Sequence, residues 1–132
     1  MRRIKEIKSI QNKQRSIIIL GLMLMSMNLL FTDEIGKTNN YISIGSNYLE
    51  EQQFNEAIKN FEKALIFDDR NKEVYFLLGY SYQNLNKYKK ALSFYNKAVK
   101  LGADDGRIYY GIAECYSLLM DKEKLLFIIK KL

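Results

Sequence analysis

From Tyr41 onward the apolar positions of the chain recur in a fixed order. The first stretch reads Tyr41-x2-Ile44-Gly45-x2-Tyr48-x8-Ala57-x3-Phe61-x2-Ala64. A shift of 34 residues gives Tyr75-x2-Leu78-Gly79-x2-Tyr82-x8-Ala91-x3-Tyr95-x2-Ala98. A second shift gives Tyr109-x2-Ile112-Ala113-x2-Tyr116-x8-Leu125-x3-Ile129-x2-Leu132, in which leucines replace the small alanines of the second half. The leading four positions of each stretch fall at i, i+3, i+4 and i+7, one face of a helix. Ala57, Phe61 and Ala64 form a matching stripe on the helix that follows. The spacing predicts six helices, near 40–51, 54–67, 73–84, 88–101, 107–119 and 122–131, and no strand. A glycine inside a helix costs about 1 kcal/mol relative to alanine. Gly45 and Gly79 at one repeat position therefore predict a close crossing of helices, where a side chain would clash.

This pattern from Thr38 to Leu132 resembles the tetratricopeptide repeat, a 34-residue helix–turn–helix unit with an aromatic, Leu-Gly, Tyr, Ala, Phe, Ala signature. The resemblance implies an all-α fold, a right-handed α-solenoid of about three units, at residues 38–71, 72–105 and 106–132. The last unit is degenerate and truncated. Asp69 and Ala103 stand where the family often has proline, and the chain contains no proline at all. Helix ends must then come from other residues. Gly102 is placed to give a left-handed cap, and Asp69 or Asn71, and Asp104 or Asp105, are placed as N-caps. A single unit cannot bury its apolar face alone, so about three are needed for stability.

Ahead of the repeats, residues 1–16 are basic and residues 17–32 are an apolar helix. Ile17–Phe31 contains no charge and is closed by Asp33 and Glu34. A basic stretch followed by an apolar run is the pattern of an export signal. As a helix this run is near the lower limit for spanning a bilayer. An uncleaved signal-anchor, a signal peptide removed on export, and a buried helix of a cytoplasmic domain all fit. The first two place the repeats outside the cytoplasm, and no cysteine follows the run for lipid attachment.

Charge and composition narrow the chemistry. Of the formal charge of +6, residues 1–16 hold a net of +5, which leaves +1 for the rest of the chain. A nucleic-acid-binding domain places its basic excess on the folded part, so no nucleic-acid partner is expected. With no histidine and a single cysteine, Cys115, the chain forms no intramolecular disulfide, no usual zinc site and no histidine-based catalytic relay. No phosphate-binding glycine loop occurs. No catalytic residue, metal site or cofactor is therefore expected. Cys115 reads as a small core residue, and the pairs Asp68–Asp69 and Asp104–Asp105 read as turn caps rather than cation ligands. Lys87, Lys89, Lys90, Lys97 and Lys100 read as a solvated outer face, with an anionic partner as the alternative.

The resemblance also implies where a partner would sit, because the first helix of each pair lines a concave groove. Carried onto this chain, the lining is Ile42, Ser46, Leu49, Phe76, Tyr80, Gln83, Tyr110, Glu114 and Ser117. Members that grip a chaperone's C-terminal carboxylate use Lys, Asn and Arg at positions matching Ile42, Ser46, Leu77, Arg107 and Gly111; only Arg107 fits. The expectation is a non-enzymatic adaptor of the cell envelope, held at the membrane through 17–32, whose groove takes a peptide or helix of another protein. The alternative is a structural subunit that forms a homo-oligomer through its last helix. There Leu125–Ile129 are five apolar residues in a row, and Leu126, Phe127 and Leu132 would carry the contact.

Overall fold

The computed structural model describes residues 1–131, apart from the side chains of Leu125 and Ile128. Leu132, one of the expected self-association residues, lies outside the described residues. The described chain forms five helices: α1 (Arg2–Glu50), α2 (Phe54–Phe67), α3 (Lys72–Asn84), α4 (Tyr88–Lys100) and α5 (Gly106–Lys131). No strand occurs among the described residues. The expected boundaries of α2, α3 and α4 agree with these to within one residue.

Two expected breaks are absent. The apolar run and the first repeat helix are one element, α1, since nothing between Thr32 and Asn40 stops a helix and Gly36 alone only weakens it. Likewise the expected helices 107–119 and 122–131 are one element, α5.

The chain divides into two compact units, Met1–Gly36 and a second from Lys37 onward. In the first unit, every Ile, Leu, Met and Phe from Ile17 to Phe31 is exposed. Helix α1 contains a stretch long and apolar enough to cross a membrane, by length and composition.

The core of the second unit follows the repeat. Ala57, Phe61 and Ala64 on α2 and Ala91, Tyr95 and Ala98 on α4 are buried, as are Val74 and Leu78 on α3 and Ile108 and Cys115 on α5. Ser81 and Cys115 occupy the same repeat position and are both fully buried. The Ser81 hydroxyl is satisfied, donating to the Leu77 carbonyl at 2.7 Å. The glycines mark the crossings: a Cβ on Gly45 would lie 2.5 Å from the Phe61 ring, and one on Gly79 would lie 2.6 Å from the Tyr95 ring. Burying a ring of this size contributes about 1.5–3 kcal/mol, which outweighs the ~1 kcal/mol cost of a helical glycine. Above these crossings the first tyrosine of each of the first two units carries a cation. Lys63 Nζ lies 5.7 Å from the Tyr41 ring centre, and Lys97 Nζ lies 5.7 Å from that of Tyr75.

The turns explain how a chain without proline stops its helices. Gln52 and Asn86, 34 residues apart, are left-handed with φ of 57° and 59°. The following amides reach back, Gln53 to the Tyr48 carbonyl and Lys87 to the Tyr82 carbonyl, both at hydrogen-bond distance. This is the closed C-terminal cap in which a left-handed residue satisfies the last carbonyls. Gly102, φ 85°, closes α4 in the same way through the Ala103 amide and the Ala98 carbonyl. At the other ends, the Val74 amide donates to Asn71 Oδ1 at 3.2 Å and the Arg107 amide donates to Asp105 Oδ1 at 2.9 Å. Asn71 and Asp105 are thus the N-caps, again 34 residues apart, and Asp68 accepts from the Asn71 side chain.

A candidate partner-binding groove

Helices α3 and α5 present facing rows of side chains. On α3, Phe76, Tyr80 and Gln83 stand at i, i+4 and i+7; on α5, Arg107, Tyr110, Gly111 and Glu114 stand at i, i+3, i+4 and i+7. Between them lies an open cavity of about 620 Å³, lined also by Leu49, Leu77, Tyr95 and Gly106. Tyr80 and Tyr110 are exposed, the latter by 71%, so their rings stand free at its rim.

Tyr95 reaches the floor from α4, beneath Phe76, with the two ring centres 6.1 Å apart. Its hydroxyl donates to Gln83 Oε1 at 2.6 Å, and Gln83 Nε2 donates to Glu114 Oε2 at 2.5 Å. This chain of hydrogen bonds ties α4, α3 and α5 together and fixes the rotamers along one wall. Burial, and then the neighbouring Cys115, Tyr80 and Glu114, push the Tyr95 hydroxyl well above its ordinary pKa, so it remains a donor. At the opposite end the Arg107 guanidinium lies 4.9 Å from the Phe76 ring centre. It is held there by Asp105, whose Oδ2 accepts from Nε at 2.9 Å and Nη2 at 2.6 Å. These bonds hold the Asp105 carboxyl below its ordinary range. Gly111 keeps the floor open, because a Cβ there would lie 2.7 Å from Tyr95 Cζ.

Six of the nine expected lining residues meet at this cavity: Leu49, Phe76, Tyr80, Gln83, Tyr110 and Glu114. Ile42 and Ser46 are half-buried on α1 and Ser117 is exposed on α5; none of the three lines it. Sequence reasoning missed Tyr95 as a floor and Gly111 as the opening beside it. A signal was present: Leu49 and Phe61 of the first unit become Gln83 and Tyr95 at the same repeat positions. Two coupled apolar-to-polar changes at one crossing mark a hydrogen-bonded pair facing a groove.

Elsewhere the chemistry is sparse. Burial, with a smaller effect of Glu114, raises the pKa of the Cys115 thiol, which suits a core residue. Among the described residues no cluster of three His, Cys, Asp or Glu side chains is placed to hold a metal ion. The α4 lysines are exposed, with Lys90 5.3 Å from the Tyr82 ring centre. Of the expected self-association residues, Leu126 and Phe127 are exposed.

Comparison with known proteins agrees with this architecture. A family model described as tetratricopeptide repeat matches residues 48–115. Anaphase-promoting complex subunit 3 of Schizosaccharomyces pombe is 29% identical over 94 residues, covering 71% of this chain. The match spans only 14% of that relative's length. A solved structure of a MamA mutant superposes with a TM-score of 0.59 at 23% identity, over 79% of this chain and 78% of the other. Repeat register, paired-helix packing and the family match together establish that the chain belongs to the tetratricopeptide repeat family.

Proposed function

We propose that the chain is a non-enzymatic scaffold of the cell envelope whose groove between α3 and α5 captures a peptide or helix of another protein. The observation that carries this reading is a preformed apolar cavity rimmed by free aromatic rings. Such a surface offers anchor sites of the kind that dominate protein interfaces, at a low cost in reorganisation. Its one wall fixed by Tyr95, Gln83 and Glu114 supplies polar groups for orientation. The relative from Schizosaccharomyces pombe is by its name a subunit of a complex, which accords with a role in assembly. Residues 17–32 would hold the protein at the membrane with the repeats on the extracytoplasmic side; the apolar, exposed run of α1 supports this.

Affinity capture from solubilised membranes tests the groove. The full-length protein should retain a specific partner, and Phe76→Ala with Tyr80→Ala should reduce its recovery by about tenfold or more, as expected for two aromatic anchors. Undiminished recovery would remove the groove from the account. A second reading, self-assembly through the end of α5, is favoured by the exposure of Leu126 and Phe127. Light scattering of the detergent-solubilised chain addresses it, and a monomer at tens of micromolar would reject it.

A further inference from the structure

In the first two units the signature face of the leading helix is covered by the helix that follows. The Phe61 ring seats on Gly45 and the Tyr95 ring on Gly79, while Lys63 and Lys97 lie over Tyr41 and Tyr75. One period later the same face stands on α5 as Tyr109, Ala113 and Tyr116, with Met120 one turn on. There it is bare: Tyr109, Tyr116 and Met120 are 49%, 56% and 57% exposed. The segment expected to cover it is residues 122–131, and that segment instead continues α5 as helix.

Three substitutions at repeat positions account for this. Met120 occupies the slot in which Gln52 and Asn86 turn left-handed, a conformation that asparagine adopts more readily than most residues. Leu125 and Leu132 replace the alanines at 57 and 91 and at 64 and 98, which removes the small residues of a close crossing. Lys131, the counterpart of Lys63 and Lys97, lies 4.3 Å from the Phe127 ring centre on its own helix and not over Tyr109.

We infer that this face of α5 is a docking surface for an α-helix of a partner protein, which takes the place over α5 that α2 and α4 hold over the leading helices of the first two units. The occupant's chemistry is written twice in the chain, as Ala57-x3-Phe61-x-Lys63-Ala64 and Ala91-x3-Tyr95-x-Lys97-Ala98. Where those rings seat on glycine, the third unit has Ala113, whose Cβ requires a smaller side chain. The helix that fits therefore carries Ala-x3-Ile/Leu/Val-x-Lys-Ala, with alanines at the crossing, an aliphatic residue against Ala113 and an ammonium over the free Tyr109 ring. This surface lies on a different side of α5 from Tyr110 and Glu114, so it does not depend on the groove.

A fluorescent peptide with the α4 sequence Tyr88–Lys100 carrying Tyr95→Ile is a suitable probe. Fluorescence anisotropy should show it binding the full-length protein about tenfold or more tightly than the same peptide with Ala91→Leu and Ala98→Leu, which has identical charge. Tyr109→Ala with Tyr116→Ala, both at exposed positions, should weaken binding by a similar factor, whereas Phe76→Ala with Tyr80→Ala should leave it unchanged. Equal binding of the two peptides, no binding, or indifference to the tyrosine pair would overturn the inference. So would evidence that residues 122–131 fold back over the face. In a Cys115→Ser background that would appear as a rapid intramolecular disulfide between Tyr109→Cys and Lys131→Cys.

Discussion

Gly79 and Tyr95 show how one residue pair sets the distance between two helices. The Tyr95 ring occupies the volume of the missing Cβ, so Gly79→Ala gains about 1 kcal/mol in helix propensity but must displace a buried ring. Overpacking of this kind costs about 1–3 kcal/mol, so urea titration should show a net loss of stability. Asp105 acts at the same scale through charge. Its carboxyl caps α5 and bonds to Arg107, which lowers its pKa from the ordinary value of 3.8. A group depressed in the folded state stabilises above its unfolded pKa, and the effect is lost as pH falls through the folded value. Asp105→Asn should therefore lower stability at neutral pH, and the gap should close as pH drops below about 4. A gap independent of pH would show that the carboxylate charge is irrelevant.

At the scale of elements, α2, α3 and α4 were legible because their stripes run at full strength and their stops fall at turn residues. The continuity of α5 was not legible, because the third unit keeps the apolar order while losing its turn chemistry. Nothing in the spacing of Ile112, Tyr116, Leu125 and Ile129 distinguishes a hairpin from a rod; the identity of residue 120 does. Met120→Asn should loosen this point, with amide exchange at 119–123 speeding up while α3 and α4 remain protected. Unaltered exchange would mean that the surrounding helix, and not Met120, holds α5 straight. The fusion of the apolar run with the first repeat helix is not legible for a related reason. Asp33 and Glu34 end an apolar segment without ending a helix.

At the scale of the whole molecule, the seating of a ring on a leading helix recurs twice in the second unit, and among the described residues the third leading face is bare. That gives it two surfaces of different origin. The lining of the cavity was mostly legible, since Phe76, Tyr80, Tyr110 and Glu114 are the positions that the family resemblance implies. The depth of the groove was not, because it depends on Tyr95 and Gly111, one read only as core and the other not as an opening. The bare face of α5 was not legible either, because it depends on residues 122–131 continuing the helix and not turning back. NOE contacts between each leading helix and its follower measure this arrangement most directly. The account predicts NOEs from the Gly45 Hα atoms to the Phe61 ring and from those of Gly79 to the Tyr95 ring, and none from Ala113 to Ile129. An Ala113–Ile129 NOE in the monomer, or the absence of either glycine–ring pair, would contradict it.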